Sequence, residues 1–149
     1  MSYDSLRIGR HSSPGQVYLV TTVTAGRAPF FADFKLARCV IAEMRRTHAT
    51  GRVNSLAWVL MPDHLHWLFQ LEEAGTLAQV LQSFKGRSAH AVNVLDDRQR
   101  SIWQRGFHDR ALRKEEDVRG VARYLADNPL RAGLVTKIGD FSHWDAAWL

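Results

Sequence analysis

Apolar and polar positions along this chain follow two rhythms, and the switches between them mark the predicted elements. Residues 17–24 (Val-Tyr-Leu-Val-Thr-Thr-Val-Thr) are dense in β-branched and aromatic side chains and read as a strand. Ala25 to Pro29 is a turn or loop. From 33 to 49 the apolar residues Leu36, Val40, Ile41 and Met44 recur at helical spacing, and Thr50-Gly51 ends that helix with glycine in its usual C-terminal role. Two strands follow, Val53 to Leu60 and His64 to Leu71, with Met61-Pro62-Asp63 short enough to join them as a hairpin. Residues 76–95 return to the helical period, with Leu77, Val80, Leu81 and Phe84 on one side. Phe107 to Leu112 is a fourth strand. Lys114-Glu115-Glu116-Asp117 opens a last helix, its acidic residues suiting the positive end of the helix dipole. Val118, Val121, Ala122 and Leu125 form its buried stripe, and Asn128-Pro129 is expected to stop it.

The order β-α-β-β-α-β plus a helix predicts an α+β, ferredoxin-like antiparallel sheet with two helices on one face. The other face is left for a ligand or for the last helix, which carries Tyr124. A length of 149 residues, 46% of them hydrophobic and 23% charged, fits one globular domain over 1–149. Within it, 1–15 reads as an N-terminal arm and 136–149 as a tail anchored by Trp144 and Trp148. No apolar run approaches the roughly 18 residues of a membrane span, and the first residues lack the apolar core of a signal peptide. Cys39 is the single cysteine, which excludes an intrachain disulfide and a multi-cysteine zinc site. A cytoplasmic protein with no membrane partner is expected. The net charge of +5 favours a polyanionic partner, a weak signal until chemistry asks for the same partner.

That chemistry begins at His64-Leu65-His66. On a strand, positions i and i+2 project from one face, so both imidazoles point one way while Leu65 and Trp67 point the other. Such a pair suits a metal ion, although two neighbouring histidines arise by chance often enough that a third ligand must be sought. Tyr124 and Asn128 lie four apart on the last helix, hence on one face beside its apolar stripe. Asn128 offers a carbonyl oxygen, which beside imidazole suits magnesium or manganese. Tyr124 offers a phenol that can attack phosphorus, though the same residues also read as a core-edge tyrosine and a helix-end asparagine. Taken together, a metal that offsets charge on a phosphodiester and a tyrosine that forms a covalent intermediate make one reaction. A phenol has an ordinary pKa of about 10, so a proton acceptor is needed, and His108, Asp109 and Lys85 are candidates by type.

His64-Leu65-His66 resembles the His-hydrophobe-His motif of the HUH nucleases, and Tyr124 followed by Asn128 resembles their single-tyrosine helix. More specifically, the chain is similar to the REP-associated tyrosine transposases, relatives of the insertion-sequence single-tyrosine transposases. The supporting residues are Leu6-Arg7-Ile8-Gly9-Arg10 with Gly15 and Tyr18, Val59 through His66, Phe84-Lys85, Trp103 through Asp109, and Tyr124 through Val135. Gly139-Asp140-Phe141, Trp144-Asp145 and Trp148 fit as well, so the likeness runs through nearly the whole chain. It implies an HUH endonuclease fold and a metal-dependent enzyme of the bacterial cytoplasm acting on nucleoid DNA. The implied reaction cuts single-stranded DNA at hairpins of repetitive extragenic palindromes. It leaves a 5′-phosphotyrosine and a free 3′-OH, and it can be reversed. Carried onto this sequence, Tyr124 is the nucleophile, and His64, His66 and Asn128 hold Mg²⁺ or Mn²⁺. Some relatives use Gln at the third position, and His108 is an alternative ligand.

Expected DNA-binding residues are Arg7 and Arg10 on the arm, Lys85 and Arg87 on the second helix, and Arg105, His108 and Arg110 around the turn before the fourth strand. Arginine suits phosphates and guanine edges, and Trp103 or Phe107 is a candidate for stacking unpaired bases. Monomer and homodimer both remain open, since a helix supplying Tyr124 from a partner looks the same in sequence. Two other functions compete: a palindrome-binding protein that has lost catalysis, and a metal phosphodiesterase that uses water.

Overall fold

A computed structural model of the chain describes residues 13–73, 75–131 and 144–146, with the side chains of 115, 116, 127–131 and 144–146 outside that description. The expected arm with Arg7 and Arg10, most of the tail, and Trp148 lie outside the described residues. Strand β1 (Val17–Val23) leads through two short 3-10 turns to helix α1 (Phe34–Ala49), then to β2 (Val53–Met61), β3 (His64–Leu71) and helix α2 (Leu77–Leu95). Strand β4 (His108–Leu112), helix α3 (Glu115–Arg131) and a short strand β5 (Trp144–Ala146) complete the order.

The sheet order is β4-β1-β3-β2-β5, antiparallel throughout. Its first four strands are the expected ferredoxin-like sheet. The fifth is a tail segment that the sequence pattern does not announce, paired to β2 through Ala57–Ala146, Trp58–Asp145 and Val59–Trp144. Pairing covers the β2 edge, which would otherwise present unpaired backbone groups.

Local chemistry explains the helix ends. Asp33 caps α1, its Oδ1 accepting from the amides of Lys35 and Leu36. Gly51 at φ 78° turns the chain out of α1 at the predicted place, a left-handed conformation that glycine takes without strain. Thr76 and Gln79 form a reciprocal capping box at the start of α2. One boundary departs from expectation: α3 runs through Asn128-Pro129 to Arg131 rather than stopping there. Proline lacks the amide that would bond one turn back, but its ring does not forbid the residues after it from staying helical.

Each face of the sheet has its own core. On one face α1 and α2 cover Tyr18, Val20, Trp58, Leu60, Leu65, Trp67, Phe69 and Leu71 in the larger cluster. Trp67 meets Phe69 at 4.9 Å and Phe84 of α2 at 5.1 Å between ring centroids. On the other face α3 brings Val118, Ala122 and Leu125 onto Ala57, Val59, Met61 and Leu68. A register shift between Ser55 and Ala57 makes Leu56 an extra residue in β2. It reverses the alternation, so Val53 faces α1 and α2 whereas Val59 and Met61 face α3. Among the described residues no helix is long and apolar enough to cross a membrane.

Phe84 is 1% exposed at the centre of the larger core. Phe84→Ala is therefore expected to destabilise the fold by about 3–5 kcal/mol. Urea unfolding measures this, and a loss below about 1 kcal/mol would show that the core collapses around the gap.

Candidate active site

Because Leu65, Trp67, Phe69 and Leu71 are held in the larger core, period two sends His64, His66 and Leu68 to the opposite face, the one covered by α3. This is the orientation expected from sequence. The two rings stand 4.8 Å apart between centroids and meet edge to face at 78°. Across the ladder, His66 is flanked by Val59 on β2 and Thr21 on β1, and His64 by Met61 and Val23.

Each imidazole has its own orienting partner. Asp63 Oδ1 accepts from His64 Nδ1 at 2.7 Å, and the Thr21 hydroxyl is 2.8 Å from His66 Nδ1. A carboxylate can only accept, so Nδ1 of His64 carries a proton, and in the neutral ring Nε2 is then the atom with the lone pair. Thr21 can complete the same arrangement for His66, since its hydroxyl is able to accept from Nδ1. Among the described residues neither Nε2 atom has a hydrogen-bond partner. A second group on Nδ1 with Nε2 left open is the usual setting of a metal-binding histidine. Burial, and then the neighbouring His64, push the His66 pKa down to about 4, so this ring is neutral at physiological pH. Burial alone would raise the Asp63 carboxyl, but the His64 hydrogen bond and the charges of His64 and Arg27 outweigh it and hold Asp63 below the usual range.

The turn bearing Asp63 is pinned from both sides. Its carbonyl accepts from the Thr24 amide at 2.9 Å and the Thr24 hydroxyl at 3.0 Å, and the Pro62 carbonyl accepts from the Phe31 amide at 3.0 Å. Thr24 is fully buried, so these bonds are shielded from water.

Helix α3 approaches this site from the far end of the sheet. Val118 lines a cavity with Val17, Leu56, Gln70 and Leu112. Two turns later Tyr124 lines a cavity of about 780 Å³ with Leu19, Arg110, Asp117 and Val121. The Leu19–Arg110 pair is one step, about 7 Å along the strands, from the row containing His66, Thr21 and His108. Tyr124 is 52% exposed, which leaves its phenol accessible to a large substrate. The next helical turn carries the Asn128 backbone about 6 Å further along the same course. The Asn128 side chain lies outside the described residues. Among the described residues, no group of three or more His, Cys, Asp or Glu side chains gathers. A complete site on the histidine pair thus needs another donor type, such as an amide, or a ligand reaching in from the same row.

The register separates the remaining candidates. His108 pairs with Thr21 and so shares the face of His66. Asp109 pairs with Val20, a larger-core residue, and points to the opposite face, away from Tyr124. Lys85 is also on that side, its Nζ donating to the carbonyls of Gln104 and Gly106 at 2.6 Å each, so it shapes the 104–106 turn. Asp117, which the sequence reading passed over, shares the Tyr124 cavity. Arg110 lies on the histidine face, whereas Lys85 and Arg105 line a cavity of about 620 Å³ between α2 and residues 100–107. Arg87 is exposed on α2. Trp103 and Phe107, candidates for stacking, are largely buried in the larger core, with Trp103 Nε1 donating to the buried Ser88 hydroxyl at 3.0 Å, and both also line the cavity that holds Lys85 and Arg105. Missed as well were Thr21, Asp63 and Arg27, whose parts depend on neighbours distant in sequence.

An antiparallel ferredoxin-like sheet with a histidine pair on one face, and a tyrosine-bearing helix across that face, defines a class of single-tyrosine DNA transposase folds. The chain belongs to the IS200-like transposase family, whose model matches residues 15–128. It is 29% identical over 110 residues to the REP-associated tyrosine transposase of Escherichia coli (strain K12). That match covers 73% of this chain and 62% of the relative, so the chain spans under two thirds of that protein's length. In fold it is similar to a REP-associated tyrosine transposase solved bound to a REP hairpin. The TM-score is 0.77 at 21% identity, over 91% of this chain and 79% of that one.

The depressed His66 pKa has a measurable consequence. The unfolded state takes up this proton as pH falls below 6.5, the folded state only near 4, so the unfolded state holds more protons in between. In metal-free buffer, stability is expected to fall as pH drops from 6.5 to 4, with at most about 3 kcal/mol from this group. His66→Gln, which cannot take the proton, is expected to flatten that limb in urea titrations at pH 7 and 4.5. Parallel losses in the two proteins would rule out this assignment.

Proposed function

We propose that this protein is a metal-dependent endonuclease and strand transferase for single-stranded DNA, acting at hairpins of the repetitive-palindrome type through a 5′-phosphotyrosine. The observation that carries this reading is the pair of imidazoles, each oriented through Nδ1, on the sheet face crossed by the helix of Tyr124. Family membership and the hairpin bound by the similar structure support the choice of DNA.

His64 and His66 present the donor atoms that fit Mg²⁺ or Mn²⁺, with the Asn128 amide oxygen as third ligand. Such an ion, when bound, supplies Lewis-acid stabilisation of charge on the scissile phosphate. Tyr124 does the covalent chemistry. Its phenolic oxygen attacks phosphorus, the bond to the 3′ oxygen breaks, and the protein is left joined to the 5′-phosphate with a free 3′-OH. In the reverse step a 3′-OH attacks the phosphotyrosine and releases the phenol, so the energy of the cut bond is retained for rejoining. The phenolic proton needs an acceptor on this face, which favours Asp117 or His108 over Asp109 and Lys85. Arg110 beside Tyr124 is placed to meet a phosphate.

Tyr124→Phe is expected to abolish nicking of a hairpin oligonucleotide in Mn²⁺, together with any denaturant-resistant protein–DNA adduct, while DNA affinity stays within about twofold. Continued cleavage by that variant points instead to activated water, and binding without an adduct in the unmodified protein points to a catalytically silent DNA binder.

The third ligand is separable in the same way. If Asn128 completes the site, Asn128→Ala is expected to weaken Mn²⁺ binding about 10- to 100-fold, as losing a ligand or its close support does, whereas His108→Ala leaves it unchanged. Calorimetric titration of the DNA-free protein decides between them, and the opposite pattern assigns the position to His108.

A further inference from the structure

Immediately after β1 the chain makes an unusual turn. Gly26 and Arg27 both adopt left-handed backbone angles, φ 61° and φ 52°. Glycine does so freely, but an arginine there is strained, and a strained residue beside a chemical site calls for an explanation. The arginine side chain supplies one. Its Nε and Nη2 donate to Asp63 Oδ2 at 3.2 and 3.1 Å, while Asp63 Oδ1 accepts from His64. The carboxylate is thus bracketed, with guanidinium on one oxygen and imidazole on the other.

The turn itself does not need this grip. Thr24 and Phe31 hold the Asp63 and Pro62 carbonyls, and the Arg27 amide bonds to the Thr24 carbonyl through backbone alone. What the guanidinium adds is control of the Asp63 side chain. Without it, the carboxylate can rotate toward water and release Nδ1, and the ring of His64 is then free to swing.

We propose that Arg27 is a positioning residue for metal binding: by clamping Asp63 it fixes the ring and tautomer of His64, so that Nε2 stays aimed at the ion. The proposal rests on His64 being a metal ligand. Arg27 is 60% exposed, so the alternative use of its charge is a direct grip on a DNA phosphate. The two uses differ in what they control, since a clamp acts on metal affinity without DNA, whereas a phosphate contact acts on DNA binding and rate at any metal concentration.

The experiment measures Mn²⁺ affinity of the DNA-free full chain by electron paramagnetic resonance of unbound Mn²⁺, and hairpin nicking against Mn²⁺ concentration. Arg27→Gly is the informative variant because it removes the guanidinium and relieves the left-handed strain together. It is expected to weaken Mn²⁺ binding about three- to tenfold, at the mild end of the range for groups that support a ligand. Its melting temperature should be equal to or above that of the unmodified protein, and its nicking rate should recover as Mn²⁺ saturates. Arg27→Lys, able to make one of the two bonds, should fall between. Unchanged Mn²⁺ affinity in Arg27→Gly overturns the proposal, as does a rate deficit that persists at saturating Mn²⁺. Equal Mn²⁺ affinity in the unmodified protein and His64→Ala removes the metal-site reading itself, a failure that these readings keep distinct from failure of the clamp alone.

Discussion

The whole arrangement hangs on the two-sided burial of β3. Its alternate residues Leu65, Trp67, Phe69 and Leu71 are fully buried in the core beneath α1 and α2, and Leu68 is equally buried beneath α3. A slip of one residue in either neighbouring ladder would exchange these side chains with His64 and His66, placing imidazoles among the aromatics. The hydrophobic effect, acting on residues with no chemistry of their own, therefore sets where the reactive pair stands. The bulge at Leu56 serves the same end on β2, since it turns Val59 and Met61 toward the histidines while Trp58 and Leu60 remain in the large core.

On that frame the polar contacts act as aiming devices. Thr21 lies directly across the ladder from His66, and Asp63 precedes His64 in a turn fixed by buried Thr24. None of these contacts contributes much to stability alone, because a net hydrogen bond is worth only about 1 kcal/mol. Their effect is directional: both Nδ1 atoms are engaged, which leaves Nε2 as the donor atom each ring can offer to a ligand. Burial of His66 works toward the same result by disfavouring the protonated ring, which could not bind a cation.

Much of the fold is legible in the sequence because most elements carry one period from end to end. β3 has the bounds read from its alternation, and α1 and α2 agree within a residue. Where period fails, so does the reading. β2 keeps its expected bounds within a residue, but the bulge at Leu56 changes which of its residues face each core, Pro129 does not end α3, and Trp144–Ala146 is too short to show a pattern. Residues 100–106 have no period, so the sequence leaves Trp103 between base stacking and the core, and the structure buries it together with Phe107. At the site, the facing of His64, His66 and Leu65 follows from strand geometry alone. The roles of Thr21, Arg27 and Asp63 do not, since each depends on a partner brought close by the sheet rather than by the chain.

The histidine pair and the tyrosine are also anchored unequally. His64 and His66 belong to a central strand whose other face lies in the larger core, so displacing them means disrupting the molecule's main source of stability. Tyr124 belongs to a helix held by the smaller core, through Val118, Ala122 and Leu125. Opening α3 exposes that core alone and so costs less than global unfolding. The histidine pair is accordingly on the rigid part of the site, and Tyr124 is on the part that can shift at least cost. Under the proposed reaction this division suits chemistry that runs in both directions, since the histidine pair would keep its place on the sheet while the helix of Tyr124 adjusts between attack and release.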